Sequence, residues 1–363
     1  MRVAEQEVDW TERAAIAERA VVRRHLRPVA GVVPGTAVAK ERWPRPRPSL
    51  PRPWHPWWQA QMLECLLDAQ QRSPAAGRVR VIAAMVRGIR VRNRGSWVTR
   101  RLADTAWVGV AVQRAGWLAG RGHRSAERAA TEAFYRGWSE DGGGGLWWRR
   151  GAGGGLKPAN ANAPAAIMMA RADHVDFASS IVDWMADTLV DPGSGLVRSG
   201  LLIGADGRVI DVDPTVQAGP QGAFLAACLE LARRDDHPRW GDRAIALVDA
   251  VQQRFANGYG SLPAAGGGDG GLQAGLLARH LAEAALRLPE LESAAARLVL
   301  ACAEQAWLGR FETTGGPVFA VDWALPATRP GRRVPEADLS VQLAGWMLME
   351  AAARLQRAGG LPA

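Results

Sequence analysis

Lysine and cysteine are both scarce in this chain, and each shortage narrows what the protein can be. Lys40 and Lys157 are the only lysines among 363 residues, against 43 arginines, which is typical of a chain encoded by a high-GC genome. The three cysteines, Cys65, Cys228 and Cys302, are odd in number and far apart, so buried free thiols are predicted rather than a disulfide framework. The six histidines show no metal-ligand spacing, so neither a metal site nor a cofactor is predicted.

Long apolar runs are also missing. There is no stretch of roughly 18 uncharged apolar residues, so no membrane-spanning helix is predicted. The first 22 residues carry five acidic side chains and lack the apolar run of a secretory signal peptide, which predicts a cytoplasmic protein. Hydrophobic residues still make up 48% of the chain, enough for a large buried core.

The positive charge is concentrated at the start of the chain. Residues 1–100 contain 19 Lys and Arg against 8 Asp and Glu, whereas the other 263 contain 26 against 28. Such asymmetry is compatible with an anionic partner, either a nucleic acid or a lipid surface. No nucleic-acid-binding motif accompanies the charge, so we favour an arginine-rich composition as its origin and do not expect a nucleic acid partner.

Helical periodicity dominates the chain and predicts about twelve helices. Asp9 with Glu12 is typical of a capping box at the start of the first. Two short strands are predicted near 201–203 and 209–212, joined by a turn at 205–207. The helices are predicted at residues 9–27, 57–73, 77–92, 98–120, 124–138, 160–172, 174–190, 216–235, 238–256, 271–287, 290–307 and 336–357.

The links between these helices alternate in length. Links after even-numbered helices are short, whereas the link after the third is short but irregular and the other odd-numbered helices are followed by long ones: 28–56, 139–159, 191–215, 257–270 and 308–335. In an up-and-down array successive links fall on opposite ends, so most long loops lie at one end, where function concentrates. Six helix hairpins closing in a ring predict an all-α, (α/α)6 barrel that occupies residues 1–363 as a single domain, with 28–56 a Pro-rich loop within it.

Polar and aromatic residues cluster where the even-numbered helices begin. Exposed indoles beside amides and carboxylates are typical of a sugar-binding cleft, because ring faces stack on sugars while polar groups bind hydroxyls. For Asp269 and Asp338, a plain helix N-cap is the favoured explanation over a place in the cleft. The glycine run 142–145 follows no strand and is not a dinucleotide loop. The residues predicted to line the cleft are Trp57, Trp58, Asp104, Trp147, Trp148, Asn160, Asn162, Gln217 and Asp269.

Together these segments resemble glycoside hydrolase family 76, the endo-α-1,6-mannanases, in its actinobacterial form. The resemblance runs from about residue 10 to 357 and rests on the order and spacing of its pieces. It implies an (α/α)6 barrel, an α-1,6-mannan-type ligand and a substrate-binding role for Trp107. The pieces are Trp57-Trp58-Gln59-Ala60, Asp104-Thr105-Ala106-Trp107, Gly143-Gly144-Gly145-Leu146-Trp147-Trp148, Lys157 with Asn162-Ala163-Pro164, Gly195-Leu196-Val197, Gly268-Asp269-Gly270-Gly271-Leu272, and Asp338 to Leu343 with Gly345-Trp346-Met347.

The sequence departs from this family at one decisive position. The resemblance implies two adjacent aspartates in the fourth helix, a nucleophile followed by an acid/base. Here Asp104 matches the acid/base and Ala103 replaces the nucleophile. The family's Tyr-Thr-Tyr-x-Gln-Gly segment is also altered, to residues 213–218. A retaining glycosidase needs both carboxylates, so hydrolysis is predicted to be impaired.

Three functional hypotheses follow. The first is a family 76-like glycan binder or weak glycosidase with Asp104 as the surviving acid. The second is a working glycosidase that recruits another loop carboxylate, an inverting base lying about 6.5–9.5 Å from the acid; the candidates are Glu140, Asp141, Asp211 and Asp213. The third is a non-enzymatic scaffold that binds an anionic partner through residues 1–100.

Overall fold

The computed structural model describes residues 8–44, 54–120, 122–151, 153–256, 260–331 and 333–359. Twelve α-helices dominate these residues, and most begin and end within about two residues of the predicted bounds. They are α1 (Trp10–His25), α2 (Pro56–Arg72), α3 (Ala76–Arg92), α4 (Leu102–Leu118), α5 (Arg124–Gly137), α6 (Ala159–Arg171), α7 (Val175–Thr188), α8 (Ala218–Leu231), α9 (Arg239–Arg254), α10 (Gln273–Arg287), α11 (Glu292–Leu308) and α12 (Leu339–Arg357).

The helices form two concentric rings, which confirms the predicted all-α barrel. Each even-numbered helix packs against the next even-numbered one, and α12 closes the inner ring against α2. The odd-numbered helices lie outside and pack against the inner helices that precede or follow them in the chain, except that α1 packs mainly against α12. All six inner helices therefore run in the same direction and begin at the same end, as the alternating link lengths predict.

Sequence pattern explains which helices lie inside. Every residue of α8 is buried, because Ala, Leu, Gly and Phe surround the helix on all sides and it carries one charged residue. In α5, by contrast, the buried residues include Ala126, Ala130, Ala133 and Phe134, one stripe of an otherwise polar helix. A helix that is apolar all round is stable only in an interior, whereas an amphipathic helix covers that interior with its apolar stripe.

Short β-strands occupy the long links. The predicted hairpin is present as β4 (Arg198–Ile203) and β5 (Val209–Val216), both longer than predicted, and β3 (Gly155–Pro158) adds a third strand beside β4. The Pro-rich link predicted as a loop contains a hairpin of β1 (Leu26–Val29) and β2 (Val33–Ala39). A third hairpin, β6 (Phe311–Thr313) with β7 (Gly316–Val318), precedes α12. Residues 45–53 of the Pro-rich segment lie outside the described residues.

Among the helix starts, that of α4 differs most from the prediction, at Leu102 rather than residue 98. Arg101 forms a β-bridge with Arg149, and the Leu102 N–H donates to the carbonyl of Trp148 at 3.0 Å. The Thr99 N–H donates to Thr105 Oγ at 3.0 Å. These contacts hold residues 98–101 out of helical geometry, so the link before α4 is longer than its sequence suggested.

Three smaller predictions concern single groups. Asp9 Oδ1 accepts the Glu12 N–H at 3.0 Å and caps α1, as its spacing predicts. The three cysteines are buried and free, also as predicted. No helix within the described ranges is long and apolar enough to cross a membrane.

Candidate active site

Asp104 lies in the first turn of α4, at the end of the barrel where all inner helices begin. The residue is only 7% exposed. Burial raises its pKa to about 6; nearby Arg101 opposes this shift and the carboxylate of Asp269 adds to it. A carboxyl group with this pKa keeps a proton to donate near neutral pH, which is the property of a general acid.

Asp269 is held beside Asp104 by two indoles. The Nε1–H groups of Trp57 and Trp58 donate to the same Asp269 oxygen, Oδ1, at 2.9 and 2.8 Å. Asp269 lies in a 3-10 turn before α10, and the Gly268 N–H in that turn donates to Asp338 at 3.0 Å. The predicted cleft residues Trp57, Trp58 and Asp269 therefore meet in one contact.

His55 and Glu41 complete this side of the site, and sequence reasoning missed both. The His55 ring stacks on Trp58 with centroids 4.5 Å apart. Its Nδ1 lies 3.0 Å from Glu41 Oε1, and this carboxylate raises the pKa of His55 above its usual value. A positive charge on His55 in turn favours the ionised form of Asp104. The available signal was the position of His55, two residues before the predicted tryptophan pair.

Trp148 lies next to the start of α4, where its carbonyl accepts the Leu102 N–H, and it is half-buried. The guanidinium carbon of Arg149 lies 4.1 Å from its ring centroid, and that of Arg101 lies 5.6 Å away. A sugar that stacks on Trp148 therefore shares the ring with cationic side chains. Asn160 is exposed near the start of α6, and Gln217 is half-buried immediately before α8, both at the same end of the barrel.

Several predicted cleft residues lie in the protein core instead. Trp147 is 4% exposed with Lys157 Nζ 4.6 Å from its ring centroid, and Trp107 is 5% exposed. Trp58 is also buried, so of its groups only the indole N–H reaches the site. These tryptophans are not free stacking surfaces, because neighbouring side chains already cover their faces.

Asn162 is likewise a structural residue. It is fully buried, accepts the Leu146 N–H at 2.7 Å and donates to the carbonyls of Leu146 and Pro158. The fourth residue of three other inner helices binds the preceding link in the same two-bond way: Gln59 binds Ala39, Gln221 binds Val197 and Gln342 binds Phe319. These amides fasten the long links to the barrel, so Asn162 has no donor left for a sugar.

The glycine run 142–145 also has a packing explanation. A Cβ on Gly145 would lie 2.7 Å from the Trp184 ring, and one on Gly144 would lie 2.9 Å from Trp138. Lys157 Nζ donates to the carbonyls of Ser139, Asp141 and Gly144 at 2.6 to 2.8 Å. The loop thus packs around a buried lysine and two indoles. Gly144 and Gly145 are needed because there is no room for a Cβ atom at these positions.

The loop carboxylates proposed as replacements for the nucleophile each have local partners. Glu140 accepts from Trp138 Nε1, and Asp141 accepts from Ser139 Oγ. Asp211 and Asp213 accept from backbone N–H groups within two residues of themselves. The charged groups that act most strongly on Asp104 are Arg101, Asp269 and His55. Asp269 is thus the carboxylate with the strongest influence on the candidate acid.

The fold and site define a helical-barrel protein of the glycoside hydrolase class, with the buried Asp104 at the mouth of the inner ring. The chain belongs to glycosyl hydrolase family 76, whose family model matches residues 43–356. No curated protein matches it significantly.

Solved structures agree with this assignment. The α-1,6-mannanase from Salegentibacter sp. HEL1_6 is 28% identical, with a TM-score of 0.81 over 95% of this chain and 99% of that one. An inactive variant of that enzyme, with two adjacent aspartates replaced by asparagine, has been solved with α-1,6-mannotriose. The family 76 mannosidase Bt3792 from Bacteroides thetaiotaomicron shares the fold at 16% identity, with a TM-score of 0.77 over 97% of this chain and 100% of that one.

Proposed function

We propose that this protein binds an α-1,6-mannan-type glycan at the mouth of its barrel and that retaining hydrolysis is impaired. The observation behind the proposal is Ala103, whose methyl group stands beside Asp104 where the family has a second aspartate. Asp104 supplies a proton, but a methyl group forms no bond to the anomeric carbon. The Salegentibacter variant supports the separation of glycan binding from hydrolysis. It lacks two aspartates and is inactive, yet it is found with a bound trisaccharide.

The site supplies one of the two carboxyl groups that a retaining glycosidase uses. Asp104, with a pKa of about 6, donates its proton to the glycosidic oxygen. His55 and Arg101 stabilise the carboxylate that remains, because both favour its charged form. Adjacent helix positions diverge by about 100°, so a side chain at position 103 points to a different part of the bound sugar. Without a carboxylate there, no glycosyl–enzyme bond forms.

Restoring the missing carboxylate tests this proposal. Ala103→Asp should raise reducing-sugar release from α-1,6-mannan, and Asp104→Ala in that background should remove about 10²- to 10⁴-fold of the regained rate, the contribution of a positioned acid. Ala103→Asn is the matched control, since it adds similar bulk without a nucleophile and should gain nothing. A fully active wild type would contradict the proposed impairment.

A second candidate function is inverting hydrolysis with Asp269 as the base. The proximity of Asp269 to Asp104 supports this candidate, because it is the carboxylate that most raises the pKa of Asp104. An inverting base needs a carboxylate about 6.5–9.5 Å from the acid to hold a water. Time-resolved NMR of the product anomer distinguishes the candidates: inversion lost in Asp269→Asn favours this one.

The scaffold hypothesis receives less support, because several arginines of residues 1–100 already pair with carboxylates of the protein. Arg72 pairs with Glu350 and Glu18 at 3.0 and 2.6 Å, and Arg78 pairs with the same Glu18 at 2.6 Å. Arg13 pairs with Glu304 at 2.9 Å. Charges neutralised inside the protein do not attract an external polyanion.

A further inference from the structure

An open pocket of about 380 Å³ lies beside Asp104, between the start of α2 and the loop that joins α3 to α4. Arg92, Arg94, Arg100 and Arg101 all line it. Asp104 is the one carboxylate among the described lining residues, and its raised pKa leaves it partly protonated near neutral pH. The guanidinium groups that line the pocket outnumber its carboxylate, so the lining has a net positive charge.

None of these four arginines forms an ion pair with a carboxylate of the described residues. Arginines elsewhere differ, for example Arg42 with Asp338 at 2.9 Å and Arg171 with Glu230 at 2.6 Å. Four like charges around one pocket repel each other. They are, however, free to bind an anion.

Two of the four guanidinium groups are oriented by indole rings. The Arg92 guanidinium lies 4.8 Å from the Trp54 ring centroid, and that of Arg101 lies 5.6 Å from Trp148. Trp54 is itself fixed, since its Nε1–H donates to Asn93 Oδ1 at 2.8 Å. Stacked guanidinium groups keep their donors free and pre-organised, the arrangement that suits bidentate contacts to phosphate.

We propose that this pocket binds a phosphate group carried by the glycan, so that the ligand is a phosphorylated mannoside. The inference rests on the proposed function, because the sugar must lie at Asp104 for its substituent to reach the arginines. The hydroxyl groups of a neutral mannan do not require four guanidinium groups. A concave pocket with the candidate acid in its wall fits a substituent on a bound sugar better than a flat membrane surface.

Calorimetry with matched sugars tests the inference. The probes are α-1,6-mannotriose, the same trisaccharide with a phosphate on the free 6-hydroxyl of its non-reducing end, and inorganic phosphate. The wild type should bind the phosphorylated trisaccharide about tenfold more tightly than the neutral one, and 300 mM NaCl should reduce this preference. Arg94→Gln/Arg100→Gln removes two exposed guanidinium groups and should reduce the preference to less than threefold, with affinity for the neutral trisaccharide changed less than twofold.

The matched control is Arg128→Gln/Arg136→Gln, which removes two arginines of α5 whose side chains are 84% and 81% exposed. It should retain the tenfold preference, and an unchanged Tm in both double variants excludes unfolding. Equal wild-type affinity for the two trisaccharides would overturn the phosphate site and leave the proposed function standing. If neither trisaccharide binds, both proposals fail. Binding of phosphatidylglycerol vesicles without a preference for the phosphorylated sugar would mean a membrane contact instead.

Discussion

Each end of the barrel contains an aspartate that is at least partly buried, and the two residues have opposite titration behaviour. At the far end, Asp68 lies between Arg114 and Arg279, at 2.9 and 2.5 Å. Burial alone would raise its pKa, but the two guanidinium groups outweigh burial and lower it. At the near end, Asp104 has no such pair and its pKa rises to about 6. Partners, and not burial, decide which aspartate stabilises the fold and which is available for chemistry.

The same inner helices run from one end of the barrel to the other, so Asp68 and Asp104 can be compared within one set of helices. Asp104 and Arg114 lie ten residues apart on α4, or about 15 Å along its axis. At the far end, Glu350 on α12 contacts Arg72 on α2, and Glu230 on α8 contacts Arg171 on α6. Paired charges thus join the inner helices where they end. Where they begin, unpaired charges line a pocket.

The largest stability effect is expected at the far end. Asp68→Asn leaves the buried Arg279 without its carboxylate and Arg114 with Glu64 alone, and should lower the free energy of unfolding by about 3 to 5 kcal/mol. Urea denaturation at pH 7 measures it. Glu132→Gln is the control, because its exposed pairs with Arg128 and Arg136 should contribute less than about 1 kcal/mol. Equal losses in both variants would show that the far-end pairs have no special structural role.

An effect of opposite sign is expected for Asp104. Its folded pKa of about 6 exceeds the ordinary value of 3.8, so its stabilising contribution is complete below pH 3.8 and lost as the pH rises through 6. An asparagine does not ionise, so Asp104→Asn has no such loss. The free energy of unfolding of this variant, minus that of the wild type, should therefore increase by about 2 to 3 kcal/mol as the pH rises from 3.5 to 8. Unfolding free energies across that range test it. Asp68→Asn should show the reverse trend, since a lowered pKa stabilises the fold at high pH; the same trend in both variants would contradict the comparison.

The smallest effect is expected for an indole at the site. Trp148→Ala should weaken binding of α-1,6-mannotriose by about 1 to 3 kcal/mol, the scale of a lost aromatic contact, while stability changes little. Trp117→Ala is the matched control, since Trp117 is 51% exposed near the opposite end of the same barrel. Unchanged affinity in Trp148→Ala would show that its neighbouring arginines exclude the sugar from this ring.

Periodicity and link lengths were sufficient to predict the barrel. A helix that is apolar on every side must lie inside, and alternating link lengths require the inner helices to begin at the same end. Both inferences follow from the order of residues along the chain and use no distance between atoms. The strands were predicted less well, because β1, β6 and β7 are only three or four residues long and β2 and β7 are stabilised by the helices they cover. The late start of α4 escaped prediction as well, since a distant loop holds residues 98–101.

The site was predicted only in part, for a similar reason. Residue type identified Asp104, Trp57, Trp58 and Asp269 as polar and aromatic residues at helix starts, and the structure places them together. The same rule selected Asn162, which fastens a loop, and Trp147, whose ring lies under Lys157. An amide or an indole looks the same in a sequence whether its partner is a ligand or the protein itself.

The sequence by itself determined the class of fold, the family and the alanine beside Asp104, because each depends on residue identity and order along one chain. Tertiary structure decided which polar groups remain without a protein partner. Asp68 and Asp104 are residues of the same type on neighbouring inner helices. Only folding brings Arg114 and Arg279 to Asp68 and leaves Asp104 beside an open pocket. Electrostatic energy depends on distance in space, and separation along the chain does not report it.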